Sequence, residues 1–154
     1  MIAIIAPMAN PIPEGFRTVT PYLLVTDCKN MIDFVKRAFG AEEHKPPFEQ
    51  PKGTVMNAQL KIGDSVIMMG EAPKEHGPTH SMLYLYVKDV DEFFKKAVKA
   101  GAVEQHPVQD MFYGDRAGAV KDPNGNVWWV ATHVEDVSKG EIGKRGAAAA
   151  KKKP

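Results

Sequence analysis

The chain has 154 residues, a length that fits one domain or two small, closely packed halves. Its 20 Lys and Arg against 19 Asp and Glu leave a net charge of +1, which argues against a nucleic-acid-binding protein. The single cysteine, Cys28, excludes an intrachain disulfide, and we interpret it as a small packed residue rather than a nucleophile.

Residues 1–15 are predicted to form an extended arm, because Pro11, Pro13 and Gly15 punctuate its second half. The apolar beginning of the arm lacks a basic region and is too short to span a bilayer, so we expect a cytoplasmic protein with no membrane partner. Its apolar residues have no evident place in the core of a monomer, which favours a homodimer. They are Ile2, Ile4, Ile5 and Met8.

A first structural unit is predicted over residues 16–72. Asp27 can cap a helix that follows the first strand, and Gly40 can end that helix. Three more strands follow, the first of them weakened by two prolines. The predicted strands cover residues 18–26, 41–48, 54–62 and 65–71.

A second unit at residues 81–135 repeats this order after a linker at residues 73–80. Asp89 can cap its helix and Gly101 can end it, and equivalent positions of the two units are offset by 61 or 62 residues. A supersecondary unit has therefore been duplicated. The strands of the second copy are predicted at residues 82–87, 102–109, 116–122 and 126–133.

These patterns predict an α+β fold of two βαβββ units. Each unit forms a curled mixed sheet that cannot bury its concave face alone, so the two pack around a cavity with their helices outside. Residues 136–154 are rich in Gly, Ala and Lys and are expected to form a disordered basic tail.

Two motifs in the second unit carry a resemblance to a known family: Gly114-Asp115-Arg116 and the reverse turn Asp122-Pro123-Asn124-Gly125. With the duplication and the helix stop Phe39-Gly40-Ala41, they make residues 16–133 resemble the glyoxalase/bleomycin-resistance (vicinal oxygen chelate) superfamily. Within it, the chain is most similar to the branch named after a phosphonate-operon protein. The resemblance implies duplicated βαβββ units and a small-molecule ligand in the cavity.

The resemblance also implies where metal-dependent members hold their metal, namely at the start of each first strand and within each fourth strand. In this chain those places fall on Thr20, Met68, Met82 and Trp129. None of them offers a carboxylate or an imidazole, so we expect no metal and no other cofactor. A zinc site of His76 and His80 with Glu71 or Glu75 stays open, but solvated loop histidines are favoured.

Methionine and aromatic side chains take the place of metal ligands on the predicted strands. They form either plain core or the wall of a pocket, and buried tyrosine hydroxyls that need partners suit the mouth of a pocket. Arg116 either grips a carboxylate or phosphate, or pairs with Asp110 or Asp115 to hold its loop. The predicted ligand-binding residues are Tyr22, Met68, Met82, Tyr84, Tyr86, Tyr113, Arg116 and Trp129.

We therefore expect a metal-free protein whose function is to sequester or carry a partly aromatic small molecule. The alternative is a lyase, isomerase or dioxygenase-like enzyme with a non-standard metal site, for example Gln59, Glu71 and His133. A third interpretation is a dimeric interaction module with a vestigial cavity. The catalytic residues of any such enzyme are unknown from the sequence.

Overall fold

A computed structural model describes residues 8–153. Two copies of a βαβββ unit follow each other in it and a third helix comes after them, which confirms the predicted α+β class and duplication. The first unit consists of β1 (Tyr22–Val25), α1 (Cys28–Phe39), β2 (Glu42–Glu49), β3 (Val55–Ile62) and β4 (Ser65–Glu71). The second consists of β5 (Met82–Tyr86), α2 (Val90–Lys99), β6 (Val103–Asp110), β7 (Asp115–Lys121) and β8 (Val127–His133), and α3 is Lys139–Lys151.

Each unit builds one four-stranded mixed sheet. The strand orders are β1-β4-β3-β2 and β5-β8-β7-β6, with the first pair of each sheet parallel and the other pairs antiparallel. The two sheets also share a register, since Tyr22 lies opposite Met68 in the first and Tyr84 lies opposite Trp129 in the second. Equivalent positions of the repeat therefore occupy equivalent places in space.

Carboxylates fix the beginnings of α1 and α2 as the sequence predicted. Asp27 accepts a hydrogen bond from the backbone N–H of Asn30 at 3.3 Å, and Asp89 accepts one from Glu92 at 3.1 Å. The carboxylate of Glu71 adds two more at α1, from the backbone N–H groups of Asp27 and Cys28, both at 2.9 Å. A negative charge at this position complements the helix dipole.

The core lies between the helices and the convex faces of the sheets. Trp128 is its largest fully buried side chain, and its ring centroid lies 4.5 Å from that of Phe39 on α1. The indole N–H of Trp128 donates to the carboxylate of Asp122 at 2.8 Å. The same carboxylate accepts from the backbone N–H groups of Asn124 and Asn126, so the Asp-Pro-Asn-Gly turn is organised around it.

The same turn joins the two units. The side chain of Asn124 accepts a hydrogen bond from the backbone N–H of Thr26 at 2.7 Å and donates one to the carbonyl of Thr26 at 3.1 Å. Thr26 follows β1, so the second unit is hydrogen-bonded to the end of the first strand of the first.

The tail differs from the disorder that its composition indicated. Lys139–Lys151 forms a helix whose beginning is capped by Ser138, and the run of alanines explains it because alanine has the highest helix propensity. The helix buries none of its residues. Its Arg145 donates two hydrogen bonds of 2.9 Å to the carboxylate of Glu135.

The predicted arm is described only from Met8 onward, where the Met8 side chain is exposed. Ile2, Ile4 and Ile5 lie outside the described residues, so their role in a homodimer stays a prediction. Within residues 8–153, no helix is both long enough and apolar enough to cross a membrane.

Candidate functional site

The concave face of the second sheet carries large side chains that reach solvent. Strand alternation points Met82, Tyr84 and Tyr86 of β5 to this face, with exposed fractions of 69%, 40% and 65%. Leu83 and Leu85 point the other way and pack against the core. The edge strand of the second sheet therefore presents an apolar and aromatic surface.

A cavity of about 1030 Å³ lies between the edge strands of the two sheets. β1 and β4 form one wall and β5 forms the other, and the floor reaches the core at Phe39 and Trp128. The cavity brings together four of the predicted ligand-binding residues: Tyr22, Met82, Tyr84 and Tyr86.

Aromatic rings continue from the cavity across the concave face of the second sheet. The ring of Trp129 on β8 lies nearly parallel to that of Tyr84, with centroids 6.3 Å apart and an interplanar angle of 9°. On its other side His106 of β6 stacks at 5.1 Å and 22°. We call Tyr84, Trp129 and His106 the ring row. His106 is not among the predicted ligand-binding residues, and its place beside Trp129 follows from strand pairing, since Ala119 of β7 lies opposite both residues.

A buried carboxylate organises the hydroxyl groups beside the ring row. Asp115 is 3% exposed and accepts hydrogen bonds from Tyr86 at 2.9 Å and Tyr84 at 3.3 Å. The hydroxyl of Tyr113 lies 3.5 Å from that of Tyr84. Desolvation and the neighbouring Tyr113 and Asp115 raise the pKa of Tyr84, so its phenol stays neutral.

His133 completes this cluster at the end of β8. Its Nδ1 lies 2.7 Å from Asp115 Oδ1, and its Nε2 lies 2.8 Å from an oxygen of Asp136, whose side chain is fully exposed. Hydrogen bonds to Asp136 and Asp115 raise the pKa of His133 above 6.5. We call Tyr84, Tyr86, Tyr113, Asp115 and His133 the Asp115 network.

The concave face of the first sheet is different in chemistry. Tyr22 donates to the carbonyl of Met56 at 3.1 Å, and the amide of Asn57 lies 3.6 Å from the sulfur of Met68. The buried side-chain oxygen of Gln59 has no hydrogen-bond partner among the described residues. This sheet offers amides and a thioether where the second offers rings and a carboxylate.

Arg116 does not lie with the other predicted ligand-binding residues. Its guanidinium donates two hydrogen bonds to Asp91 on α2, at 2.8 and 2.9 Å, and one to Asp110 at 3.2 Å. It therefore faces the helix layer, and its contact with Asp110 agrees with the structural interpretation, while a contact of Arg116 with a ligand stays a prediction. Neighbouring side chains of a strand point to opposite faces, so Asp115 rather than Arg116 reaches the concave side.

The residues at the family's metal positions do not fit a hard metal ion. Thr20 donates its hydroxyl to the carbonyl of Arg17 at 3.1 Å, and Met68, Met82 and Trp129 supply only thioethers and an indole. Within residues 8–153, no group of three or more His, Cys, Asp or Glu side chains is arranged to hold a metal.

Two residues of the non-standard metal set, Glu71 and His133, have hydrogen-bond partners of their own. Glu71 is committed to the beginning of α1, Gln59 lies on the first sheet, and His133 lies on the second. In the possible zinc site of the linker, the ring of His80 lies against Gly125 of the reverse turn.

Comparisons with known proteins agree with this architecture. The model of the Glyoxalase/Bleomycin resistance protein/Dioxygenase superfamily matches residues 16–130. The chain is 33% identical over 136 residues to uncharacterized protein Rv0887c of Mycobacterium tuberculosis, covering 80% of this chain and 79% of the relative. It is equally similar to uncharacterized protein Mb0911c of Mycobacterium bovis, of which it covers 88%.

Solved structures show the same fold. TioX from Micromonospora sp. ML1 is 27% identical with a TM-score of 0.62, covering 79% of this chain and all of that chain. The fosfomycin resistance protein FosX from Listeria monocytogenes is 16% identical with a TM-score of 0.59, covering 82% and 97% of the two chains. The duplicated units, the family match and these neighbours agree: the chain belongs to the glyoxalase/bleomycin resistance protein/dioxygenase superfamily.

Proposed function

We propose that the protein binds a planar, partly aromatic small molecule, which it sequesters or carries. The binding surface extends from the cavity between β1 and β5 onto the concave face of the second sheet. The ring row carries this proposal, because its neighbouring rings lie within 22° of parallel and together present an aromatic surface against which a flat ligand can pack. Such contacts contribute roughly 0.5–1.5 kcal/mol each beyond the burial of area.

The Asp115 network supports the same proposal by fixing the polar edge of the wall. Tyr84 and Tyr86 both donate to one buried carboxylate, so their rings are held in place before a ligand arrives. A preorganised aromatic wall loses little conformational entropy on binding. Met82 lies beside the aromatic wall and is exposed. Its flexible side chain can adapt to an irregular part of the ligand.

We propose that the ligand binds without a metal. The side chains at the family's metal positions support this, because they supply a hydroxyl, two thioethers and an indole. We also propose that the chain belongs to the phosphonate-operon-protein-like branch, to which its sequence is most similar within the superfamily. It departs from many members of that branch by carrying Asn57 where they carry histidine.

Tryptophan emission tests the proposal directly, because the chain has two tryptophans in different environments. The probes are 2-naphthol, naphthalene-2-carboxylate and N-methylquinolinium, which are flat and differ in charge. At least one should quench the emission of the protein saturably, and Trp129→Phe should remove most of that change while Trp128 continues to report the fold. Quenching that persists unchanged in Trp129→Phe, or no saturable quenching by any probe, contradicts the proposal.

A further inference from the structure

The Asp115 network contains an arrangement that ligand binding does not require. Its buried carboxylate contacts one nitrogen of an imidazole whose other nitrogen contacts only the fully exposed side chain of Asp136 among the described residues. We propose that His133 and Asp115 are a proton-transfer pair that removes a proton from a carbon atom of the ligand on the ring row. This inference rests on the proposed function, since it needs a ligand bound there.

Asp115 determines which nitrogen of His133 can act as a base. Its oxygen lies 2.7 Å from Nδ1, so in the neutral ring the proton stays on Nδ1 and the lone pair is on Nε2. Asp136 contacts Nε2 only while the ring is protonated, because two lone pairs cannot share a hydrogen bond. Since the side chain of Asp136 is fully exposed, it can turn into solvent and leave Nε2 to the ligand.

The neighbouring hydroxyls supply the complementary function. Tyr84 donates its proton to Asp115, so Tyr113 is the donor in its 3.5 Å contact with Tyr84, and a ligand atom can replace Tyr84 as the acceptor of that proton. When a proton leaves carbon, negative charge develops on an attached oxygen or nitrogen, and a hydroxyl placed there stabilises it. In this scheme His133 is the catalytic base, Tyr113 is the donor to the developing charge, and Asp115 is a positioning residue.

The reaction class is deprotonation of a carbon acid, and it needs no co-reactant. The C–H electron pair moves into a new π bond, the electrons of the adjacent bond move onto the electronegative atom, and the proton resides on His133 Nε2. His133 then returns the proton to the product or to water. A general base in position typically accelerates such a step by roughly 10²–10⁴-fold.

The probe is 5-nitrobenzisoxazole, a flat aromatic carbon acid. Removal of its ring C–H proton forms a nitrile, breaks the N–O bond and leaves a coloured phenolate, so a single base suffices and turnover is read by absorbance. We expect saturable turnover by the full chain, with a rate that rises as the pH increases through the pKa of His133. The rate should rise at a pH above 6.5. The charged groups that act on the His133 ring are Asp136 and Asp115, and both raise its pKa.

His133→Asn should lower kcat by about 100-fold, whereas His76→Asn, in an exposed loop, should leave it unchanged. Asp136→Asn should shift the rise of the rate to lower pH without abolishing turnover, because it removes one of the two carboxylates on the ring. Asp115→Asn should lower kcat and also shift the profile. If this buried substitution prevents folding, the exposed Asp136→Asn variant still gives the pH test.

Binding and turnover separate the two proposals. Quenching of Trp129 by the probe with turnover that does not depend on His133 overturns the proton-transfer pair and leaves the binding proposal intact. A pH profile that stays the same in Asp136→Asn overturns it as well. Absence of both quenching and turnover overturns both proposals.

Discussion

Asp115 and Arg116 are neighbours in the chain but act on opposite sides of β7. Asp115 joins the hydroxyl and imidazole groups on the concave face, while Arg116 joins β7 to α2. The two charges are adjacent in the sequence motif. Their roles differ because neighbouring side chains of a strand point to opposite faces of the sheet. The sequence alone therefore allows both interpretations of Arg116, contact with a ligand or pairing with Asp110 or Asp115.

Arg116→Gln tests this separation. The substitution removes the ion pairs with Asp91 and Asp110 on the helix side, so the thermal unfolding midpoint should fall slightly. Quenching of Trp129 by aromatic probes should not change. Lys95→Gln serves as the control, because it removes a more exposed cation from α2 whose ion pair with Glu92 is long, at 3.8 Å. Loss of probe binding in Arg116→Gln alone would place the guanidinium in the site after all.

The two tryptophans make a second prediction at this scale. Trp128 is fully buried against Phe39 and hydrogen-bonded to Asp122, so Trp128→Ala should lower the free energy of unfolding by about 3 to 5 kcal/mol. Trp129→Phe keeps a ring on the concave face and should cost far less. Denaturant titration of both variants measures the difference, and the reverse order would mean that the alternation of β8 is inverted.

His133 also makes the stability of the protein depend on pH. Its pKa is raised in the folded protein by Asp136 and Asp115, so its contribution is complete below pH 6.5 and is lost as the pH rises through the higher folded value. We expect the unfolding midpoint to decline over that interval, and His133→Asn to remove that part of the decline. Midpoints recorded across the interval for both proteins test this, and identical curves would contradict it.

At the scale of elements, the sequence predicted the order of strands and helices because each signal was local. Asp27 and Asp89 cap helices through contacts three residues away, and Gly40 ends a helix with a positive φ of 66°. The prolines of β2 and β6 did not prevent strands there. Both strands lie at the outer edges of their sheets and carry irregular register, where a missing N–H is tolerated.

α3 could not be predicted in the same way, because it has no apolar stripe. Its helicity follows from alanine propensity and from the cap at Ser138, and its attachment depends on the pairing of Arg145 with Glu135 ten residues earlier. Neither feature appears in a pattern of hydrophobic spacing.

Removal of residues 138–154 should leave the unfolding midpoint unchanged. The helix buries no residue, and exposed ion pairs such as that of Arg145 contribute little to stability. Differential scanning calorimetry of the shortened and full chains measures this. Glu135→Gln in the full chain is the matched control for the ion pair. A midpoint that falls by several degrees on truncation would show that α3 supports the fold.

At the scale of the whole molecule, both concave faces stay open to solvent. Large side chains on or beside them, including Tyr86, Met82 and Phe48, are mostly exposed. Such surfaces usually mark an interaction site, so we predict a homodimer in which a second copy packs against these three side chains and leaves the ring row open to the ligand. Light scattering should give about twice 16.9 kDa at micromolar concentrations, and Tyr86→Lys should shift the mass toward the monomer. A mass of 16.9 kDa at all concentrations would contradict the prediction.

The assembly of the site is what the sequence could not provide. His133 reaches Asp115 across 18 residues because β7 and β8 pair in a register that places them directly opposite each other. That register follows from the reverse turn at residues 122–126, which joins the two strands. The close approach of the two side chains depends in addition on their orientation on the concave face, which no local pattern encodes. The ring row could not be predicted for a similar reason, since its members come from three strands.

The duplication has a further consequence for stoichiometry. Tyr22 and Met68 hold the places in the first sheet that Tyr84 and Trp129 hold in the second, so the repeat alone would suggest two ligands per chain. The first sheet, however, has a thioether in place of the indole. Its concave face offers the amides of Asn57 and Gln59 in place of a buried carboxylate paired with an imidazole. Calorimetric titration should therefore saturate at one molecule per chain, which makes this internally repeated protein a univalent binder.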